Sequence, residues 1–422
     1  MTLAATFLAG AKSRLLPASI PFRFFAAASV FHVALWAVLL AAGEHLPGFR
    51  GGPGPVLAAL HLLTLGVLTT TAIGASVQLL PVATRRALVA VWPIKLVFWL
   101  TVPGMSAMAL GMFMVQMVVL IPSALATTLG LLLFAALLAD NLRRAGSLPV
   151  AAAYGWAALA SLLLLAAFGL ALTFDYEVAL LTDHPAMALA HMILGGFGFM
   201  GFLALGFSHV LVPMFALAAS PPRGASFAGF GLALAGLILG AVGALADSAV
   251  VLTGAALIGL GAAGVHVWLM QGVLSRGMRK RLGLSFVLIR AAWAMLPLTL
   301  LTGLAALHGL AGANGPTLFG LLLIGGWLLT FLLGVLQRIL PFLASMHAPR
   351  SAGGPPLLSE LAASRSLQIH AACHGGALLL LAIAIVADAA WLVRVGAGVG
   401  LVGALAFAWF TADIMRRVAP VR

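Results

Sequence analysis

The sequence predicts an all-α membrane protein with twelve transmembrane helices in three pseudo-symmetric four-helix repeats and with both termini in the cytoplasm. Three observations predict this fold class. Hydrophobic residues make up 63% of the 422 residues and charged residues only 7%, whereas soluble domains carry about 25% charge. Apolar runs long enough to cross about 30 Å of hydrocarbon recur along the chain. One helix-end motif occurs three times, about 130 residues apart.

The apolar runs define the twelve predicted helices. The first run follows Lys12 and Arg14 and lacks a small-residue cleavage site, so it is predicted to be a retained helix and not a signal peptide. The count depends most on dividing 92–139 and 366–412 into two helices each. The predicted spans are roughly 21–43, 56–80, 92–114, 116–139, 150–173, 186–212, 226–246, 249–273, 284–307, 316–340, 366–387 and 389–412.

The repeated motif places a glycine and a proline seven residues apart, at 74–81, 206–213 and 334–341. The first two copies share more, because His61 and His191 each open the apolar run and each precede a glycine by five residues. A fixed period indicates a repeated structural unit. The motif is expected to close predicted helices 2, 6 and 10, which divides the chain into repeats at 1–145, 146–275 and 276–422.

The net charge of +13 is explained by membrane topology and not by nucleic-acid binding. With a cytoplasmic N-terminus, all but two of the 22 Lys and Arg residues, Arg50 and Arg394, fall on the cytoplasmic side. This asymmetry follows the positive-inside rule, and the basic surface would also attract anionic lipid. We expect a multi-pass protein of the bacterial inner membrane. The single cysteine, Cys373, excludes an internal disulfide.

Histidines are the main polar residues predicted inside the membrane, since all nine acidic residues lie near helix ends or in loops. An ionisable residue inside the bilayer is a functional candidate, and imidazole is the commonest metal ligand. His61, His191 and His308 are expected near the outer surface, and His32 near the middle of the first helix. His209, His266, His370 and His374 are expected toward the cytoplasm. Solvated positions are predicted for His45, His184 and His347.

His370, Cys373 and His374 form the densest candidate set. Their spacing of three and four residues predicts that they share one face of a helix, and imidazole with thiolate suits Cu(I), Zn or haem iron. The alternative is a helix start with histidines at the level of the headgroups. His209 and His266 have an equally plain alternative, a hydrogen bond to a neighbouring helix. The glycines after His191 are explained equally well by close helix packing.

Twelve helices in three groups of four resemble subunit I of the haem–copper oxidases, and His61–Pro81 and His191–Pro213 are similar to the haem-ligating second helix of that family. The opening Pro21–Phe25 also resembles NnrS-like proteins, which are haem- and copper-containing membrane proteins linked to the nitric oxide response. The resemblance implies a b-type haem and possibly copper. It implies His61 as the first haem ligand, with His191 or His308 opposite.

The sequence departs from the oxidases where oxygen is reduced. Predicted helix 10 (317–341) has no His-x-His pair, predicted helix 7 has no His-His pair, and the only tyrosines are Tyr154 and Tyr176. The oxygen-reducing centre is therefore not expected, and no catalytic residue is assigned. A second metal would use His209, His266, His370, Cys373 and His374.

Three functions stay open at the level of the sequence. The first is haem or copper binding, with a diatomic gas as ligand or with electron transfer, in nitric oxide or respiratory redox physiology. The second is a transporter of a metal, haem or a small neutral solute, since twelve helices and internal repeats are common among transporters. The third is an accessory subunit without a cofactor. The sequence does not separate an enzyme from a binding protein, and it does not give the oligomeric state.

Overall fold

The computed structural model describes residues 15–83, 90–144, 148–347 and 364–418. The described part of the chain is helical and contains no strand. It has twelve helices that are long and apolar enough to span a membrane, as the sequence predicts, so the chain is a multi-pass membrane protein. In chain order they are α1 (Ser19–Ala42), α2 (Pro55–Val82), α3 (Trp92–Phe113), α4 (Met117–Arg143), α5 (Pro149–Val178), α6 (His184–Ala216), α7 (Arg223–Leu245), α8 (Ala249–Arg276), α9 (Leu284–Leu307), α10 (Gly315–His347), α11 (Arg365–Val386) and α12 (Ala390–Arg417).

Three of these helices lie inside a ring formed by the others. The apolar stretches of α2, α6 and α10 are 72%, 67% and 67% buried, against 50% or less for each other described span. In the ring, α1, α3, α4, α5, α7, α8, α9, α11 and α12 contact one another in this order, and α12 contacts α1 again. The ring helices expose large apolar side chains such as Trp99, Val118 and Leu379, which lipid can cover.

Each inner helix contains one π-helical stretch. The stretches are Leu62–Thr69, Leu194–Met200 and Leu322–Leu329. They begin 132 and 128 residues apart, which are also the two intervals between the glycines of the repeated motif. The first and second stretches each contact the third, so the irregular turns meet at the centre of the bundle. π-Helical turns are rare and are often found at functional sites.

The glycine of the repeated motif allows each inner helix to approach the helix that precedes it. A Cβ atom at Gly74 would lie 2.8 Å from the Cβ of Phe24 in α1, and one at Gly206 would lie 2.7 Å from the Cβ of Tyr154 in α5. A Cβ at Gly334 would lie 2.8 Å from the backbone oxygen of Ser285 in α9. Real Cβ atoms do not approach so closely, so the glycine is required by packing at all three positions.

The prolines of the motif do not close the inner helices, and this expectation from the sequence is wrong. Pro81, Pro213 and Pro341 each lie inside a helix, which continues to Ala83, Ala216 and His347 respectively. Proline fixes φ at a value that a helix also uses and removes one backbone hydrogen bond, so a helix that is held by packing can continue past it. Residues 348–363, which follow α10, lie outside the described part of the chain.

Three of the tight turns share one geometry. In the α3–α4, α7–α8 and α11–α12 connections, the residue after a left-handed residue donates its N–H to the carbonyl five positions earlier, at 2.8, 2.9 and 2.8 Å. The left-handed residues are Val115, Asp247 and Asp388, with φ of 55°, 46° and 51°. These turns lie at the end of the bundle where α1 ends, which we call the far end. The near end is where α1 begins.

Side-chain contacts fasten both ends of the bundle. At the far end, Arg50 donates from Nη1 to Thr317 Oγ1 at 3.2 Å, and Arg394 pairs with Glu44. At the near end, His347 Nε2 lies 2.9 Å from the Leu16 carbonyl oxygen. His347, which is predicted from the sequence to be solvated, thus joins the end of α10 to the segment that precedes α1.

Candidate functional site

A cavity of about 820 Å³ lies among the three inner helices and extends to the far end. Side chains of all three inner helices line it, together with side chains from most of the ring. The lining is largely Leu, Ile, Phe, Ala and Gly. Small-molecule and cofactor sites are typically apolar concavities of about 300–1,000 Å³ with a few placed polar groups. The volume and lining of this cavity are those of such a site.

His61 lies on the wall of this cavity. Its Nδ1 is 3.0 Å from the carbonyl oxygen of Leu57, one turn earlier in α2. A carbonyl accepts and does not donate, so Nδ1 carries the hydrogen. In the neutral ring the lone pair is then on Nε2, which is the state in which imidazole binds a metal. Histidine ligands of metals are usually oriented in this way, through a hydrogen bond from the other ring nitrogen.

His191 lines the same cavity from α6. Its ring packs on α5 at Gly169, where a Cβ atom would lie 3.0 Å from the His191 Cε1. The buried Nδ1 has no hydrogen-bond partner. His61 on α2 and His191 on α6 thus line one cavity. The structure therefore brings together the two histidines that the sequence pairs by position.

His308 is not part of this group. It is exposed at the far end of the ring, where its Nε2 lies 3.0 Å from Thr253 Oγ1. It does not line the cavity. The sequence predicts His308 at the same end of the bundle as His61 and His191, and it lies there. The direction in which its side chain points depends on packing between α8 and α9.

Charged and polar groups surround the cavity where it reaches the far end. Arg50 is the one Lys or Arg among its described lining residues, and its guanidinium also donates to the carbonyls of Phe49, at 2.9 Å, and Ala313. His184 also lines the cavity and pairs with Asp175, Nδ1 to Oδ2, at 2.7 Å. A ligand in the cavity would therefore have an apolar body and a polar end.

A second group of histidines is buried between α1, α10, α11 and α12. The ring of His370 lies 6.1 Å from that of His32 and 5.8 Å from that of His374, measured between centroids. His374 Nε2 lies 2.8 Å from Thr330 Oγ1, and His370 Nδ1 lies 3.0 Å from the Gly403 carbonyl oxygen. Four ring nitrogens of this group lack a partner: both of His32, Nε2 of His370 and Nδ1 of His374.

Cys373 packs against α12, although the sequence places it on one helical face with His370 and His374. A Cβ atom at Gly403 would lie 2.8 Å from the Cβ of Cys373. The thiol is free and partly exposed. In the structure His32 is a neighbour of the His370 ring. The sequence predicts Cys373 in that place. The only sequence signal for His32 is a histidine at mid-depth in an apolar helix.

A third group joins α5, α6, α8 and α9. His209 lies 5.9 Å from His266 and 5.4 Å from Tyr154 between ring centroids, and His266 lies 6.3 Å from Trp293. His209 Nδ1 is 2.9 Å from the Leu205 carbonyl oxygen. The Nε2 of His209, both ring nitrogens of His266 and the Trp293 Nε1 have no partner. The sequence predicts both histidines as metal candidates but gives no sign that Trp293 joins them.

Both buried groups lie about one helical turn from the cavity, on its near-end side. Trp36, Leu378 and Leu205 line the cavity, and each is four residues from a histidine of one of the groups. Within the described residues, no set of three or more His, Cys, Asp or Glu side chains already has the arrangement that holds a metal ion. No family model and no curated protein matches this chain.

Proposed function

We propose that this chain is an integral membrane protein that binds haem between His61 and His191. The observation that carries the proposal is that both imidazoles line one apolar cavity of about 820 Å³ at the centre of the bundle. We further propose that it resides in the bacterial inner membrane with cytoplasmic termini, so that the cavity opens toward the outer surface.

The residues present fit this group. Haem iron is held by axial imidazole, and the Leu57 carbonyl orients His61 so that Nε2 has the lone pair. Gly169 leaves room for the ring of His191. Since the chain has a single cysteine, it cannot form the CxxCH attachment of a c-type haem. A b-type haem, held by coordination and apolar contact, is therefore proposed.

Haem bound in this way would supply a redox couple or a binding site for a diatomic gas. The protein residues have three roles in this proposal. The imidazoles bind and orient, the Leu57 carbonyl sets the tautomer of His61, and the apolar walls exclude water. The physiological setting proposed is the nitric oxide response or respiratory redox chemistry.

The proposed scaffold is that of the haem–copper oxidases, with repeats at 1–145, 146–275 and 276–422. Three regularities support it: the equally spaced π-helical stretches, the close contact at each motif glycine and the three turns of one geometry. All three recur with a period near that of the sequence motif.

The test is the absorption spectrum of the protein purified in mild detergent. A Soret band, with a pyridine haemochrome of the b type, is expected. His61→Ala and His191→Ala should each lose or shift this band, because each removes one of the two imidazoles that would hold the iron. His308→Ala is the matched control and should leave the spectrum unchanged. A Soret band unaltered in the His61→Ala/His191→Ala double variant would overturn the proposal.

The second candidate function is a carrier for a small apolar solute. It is favoured by one observation, the extension of the apolar cavity to the far end of the bundle. A colourless, metal-free protein that retains an organic molecule through purification would support the carrier. A colourless protein with an empty cavity would support a cofactor-free accessory subunit.

A further inference from the structure

Positive charge is concentrated at the near end of the bundle, where α8 ends and the chain turns toward α9. Four cations occur within six residues, and all four are exposed: Arg276, Arg279, Lys280 and Arg281. We call residues 276–281 the basic segment. The sequence contains no acidic residue from 248 to 359. A run of this kind attracts the anionic groups of a membrane surface.

No carboxylate among the described residues pairs with the basic segment. At the near end, Asp140 pairs with Arg144 beside the end of α4. Asp413 pairs with Arg417 at the end of α12. The other two ion pairs of the described residues lie at the far end. The four cations can therefore bind an anion from outside the bundle.

Two inner helices hold the basic segment in place. The backbone N–H of Arg279 donates to the carbonyl oxygen of Ala216, the last residue of α6, at 3.2 Å. Just after the segment, Arg338 of α10 donates to the Leu282 carbonyl and, from Nε at 2.8 Å, to the Ser285 hydroxyl. A segment that is already fixed loses less conformational entropy when it binds a ligand.

An apolar surface lies next to the basic segment, on the outer faces of α8 and α9. The two helices are neighbours in the ring. Trp268 on α8 and Val287 on α9 are 64% and 61% exposed. At 1.5 Å per residue, they lie about 12 Å and about 5 Å from the near ends of their helices, within the roughly 15 Å of hydrocarbon in one leaflet. Acyl chains can therefore cover both side chains.

Arg290 adds a fifth cation on the outer face of α9. It is exposed and follows Val287 by three residues, so the two side chains share one helical face. A long arginine side chain at this depth can keep its methylene groups among apolar chains and extend its charged end toward the membrane surface. The guanidinium would then reach the level of the basic segment.

Charge beside an apolar surface selects the class of ligand. Phosphate oxygens accept strong hydrogen bonds from arginine and lysine. A free phosphate ion would leave the apolar surface without a partner. A zwitterionic headgroup would bring its own cation close to the arginines. A phospholipid whose headgroup has a net negative charge matches both parts of the surface, and such headgroups bind at basic sites beside the ends of transmembrane helices.

We infer that the basic segment and Arg290 form a binding site for one anionic phospholipid on the outer face of α8 and α9. This site does not depend on haem. It goes beyond the general attraction of a basic surface, because it assigns the headgroup to one set of residues. Each cation near the membrane surface contributes about fivefold in affinity.

The experiment counts the lipid that remains bound to purified protein. Protein in detergent is mixed with equal amounts of phosphatidylglycerol and phosphatidylcholine, and the complexes are resolved by native mass spectrometry. We expect the wild type to retain one phosphatidylglycerol in preference to phosphatidylcholine. Replacing the four cations of the basic segment by Gln should lower the affinity for phosphatidylglycerol by at least about tenfold.

The matched control removes the same amount of charge from four other helices of the near end. It replaces by Gln the residues Arg23, Arg143, Arg223 and Arg416. Its affinity for phosphatidylglycerol should stay within about twofold of the wild type. Equal losses in the two fourfold variants would show general attraction and overturn the inference. Displacement of the lipid by inorganic phosphate alone would also overturn it.

A single charge reversal tests the site without the fourfold change. Arg281→Glu should lower retention of phosphatidylglycerol by at least about tenfold, because it removes one cation and adds one anion at an exposed position. Arg223→Glu is its control and should retain the lipid as the wild type does. In nanodiscs, phosphatidylglycerol should raise the unfolding temperature of the wild type more than that of Arg281→Glu, since a bound ligand stabilises the folded state. Equal retention by Arg281→Glu and the wild type would refute the site.

Discussion

Thr70 and Thr330 lie at equivalent positions in α2 and α10, each directly after a π-helical stretch. Each hydroxyl donates to the carbonyl five residues earlier, Leu65 at 3.0 Å and Gly325 at 2.9 Å. In a π-helical turn a backbone carbonyl accepts from the N–H five residues on, and the N–H groups of Thr70 and Thr330 reach the same Leu65 and Gly325 carbonyls. The two threonine hydroxyls therefore give each of these carbonyls a second hydrogen bond at the end of the wide turn.

Replacing the hydroxyl of Thr70 should destabilise the fold. Thr70→Val keeps the shape but removes the hydroxyl's hydrogen bond to the Leu65 carbonyl, which still accepts from the Thr70 N–H, at a cost of about 0.5–1.5 kcal/mol. Unfolding in detergent by titration with SDS measures the change. Thr70→Ser keeps the hydroxyl and serves as control. A Val variant as stable as the Ser variant would show that the hydroxyl has no such role.

The close contact between α5 and α6 gives a second prediction. Gly206→Ala should destabilise by about 1–3 kcal/mol, because the new Cβ would lie 2.7 Å from the Cβ of Tyr154 and force the helices apart. Gly231→Ala, in α7, has no atom within 4 Å of its new Cβ and should be neutral or slightly stabilising. Equal effects of the two substitutions on the unfolding midpoint would contradict this explanation of the motif.

The fold could be predicted from the sequence because the length of each apolar run and the spacing of the repeated motif can be read directly along the chain. All twelve spans were predictable from hydropathy, and the motif glycines marked the inner helices. The continuation of α10 past Pro341 was not predictable, because it depends on packing of the last turn and on the contact of His347 with Leu16. The π-helical stretches could not be predicted either, because their amino-acid composition does not distinguish them from the rest of the inner helices.

The candidate site could be predicted from the sequence only in part. His61 and His191 were predictable as a pair because their spacing recurs. His308 and Cys373 were expected as ligands, but the structure places His308 outside the cavity and Cys373 against Gly403. His32 had no sequence partner, since its proximity to His370 joins α1 to α11, two helices that are far apart in the chain.

Arg50 yields a prediction about the polar end of the ligand. Arg50→Gln should weaken retention of haem by about tenfold, because a charge-assisted hydrogen bond to an anionic group contributes about 1.5–3 kcal/mol. Haem dimethyl ester, which lacks the anionic groups, should bind wild type and variant alike. The readout is the loss of the Soret band on transfer to apomyoglobin. Equal sensitivity of acid and ester to the substitution would refute the role of the charge.

Filling the cavity should exclude the ligand without unfolding the protein. Ala256 lines the cavity from α8, whereas the next residue, Leu257, is 57% exposed on the outer face of the same helix. Ala256→Trp should therefore abolish the Soret band, while Leu257→Trp, facing lipid, should keep it. Both variants should elute as the wild type does in gel filtration, because the empty cavity has room for an indole. Full retention of haem by a folded Ala256→Trp variant would mean that the pigment is bound elsewhere.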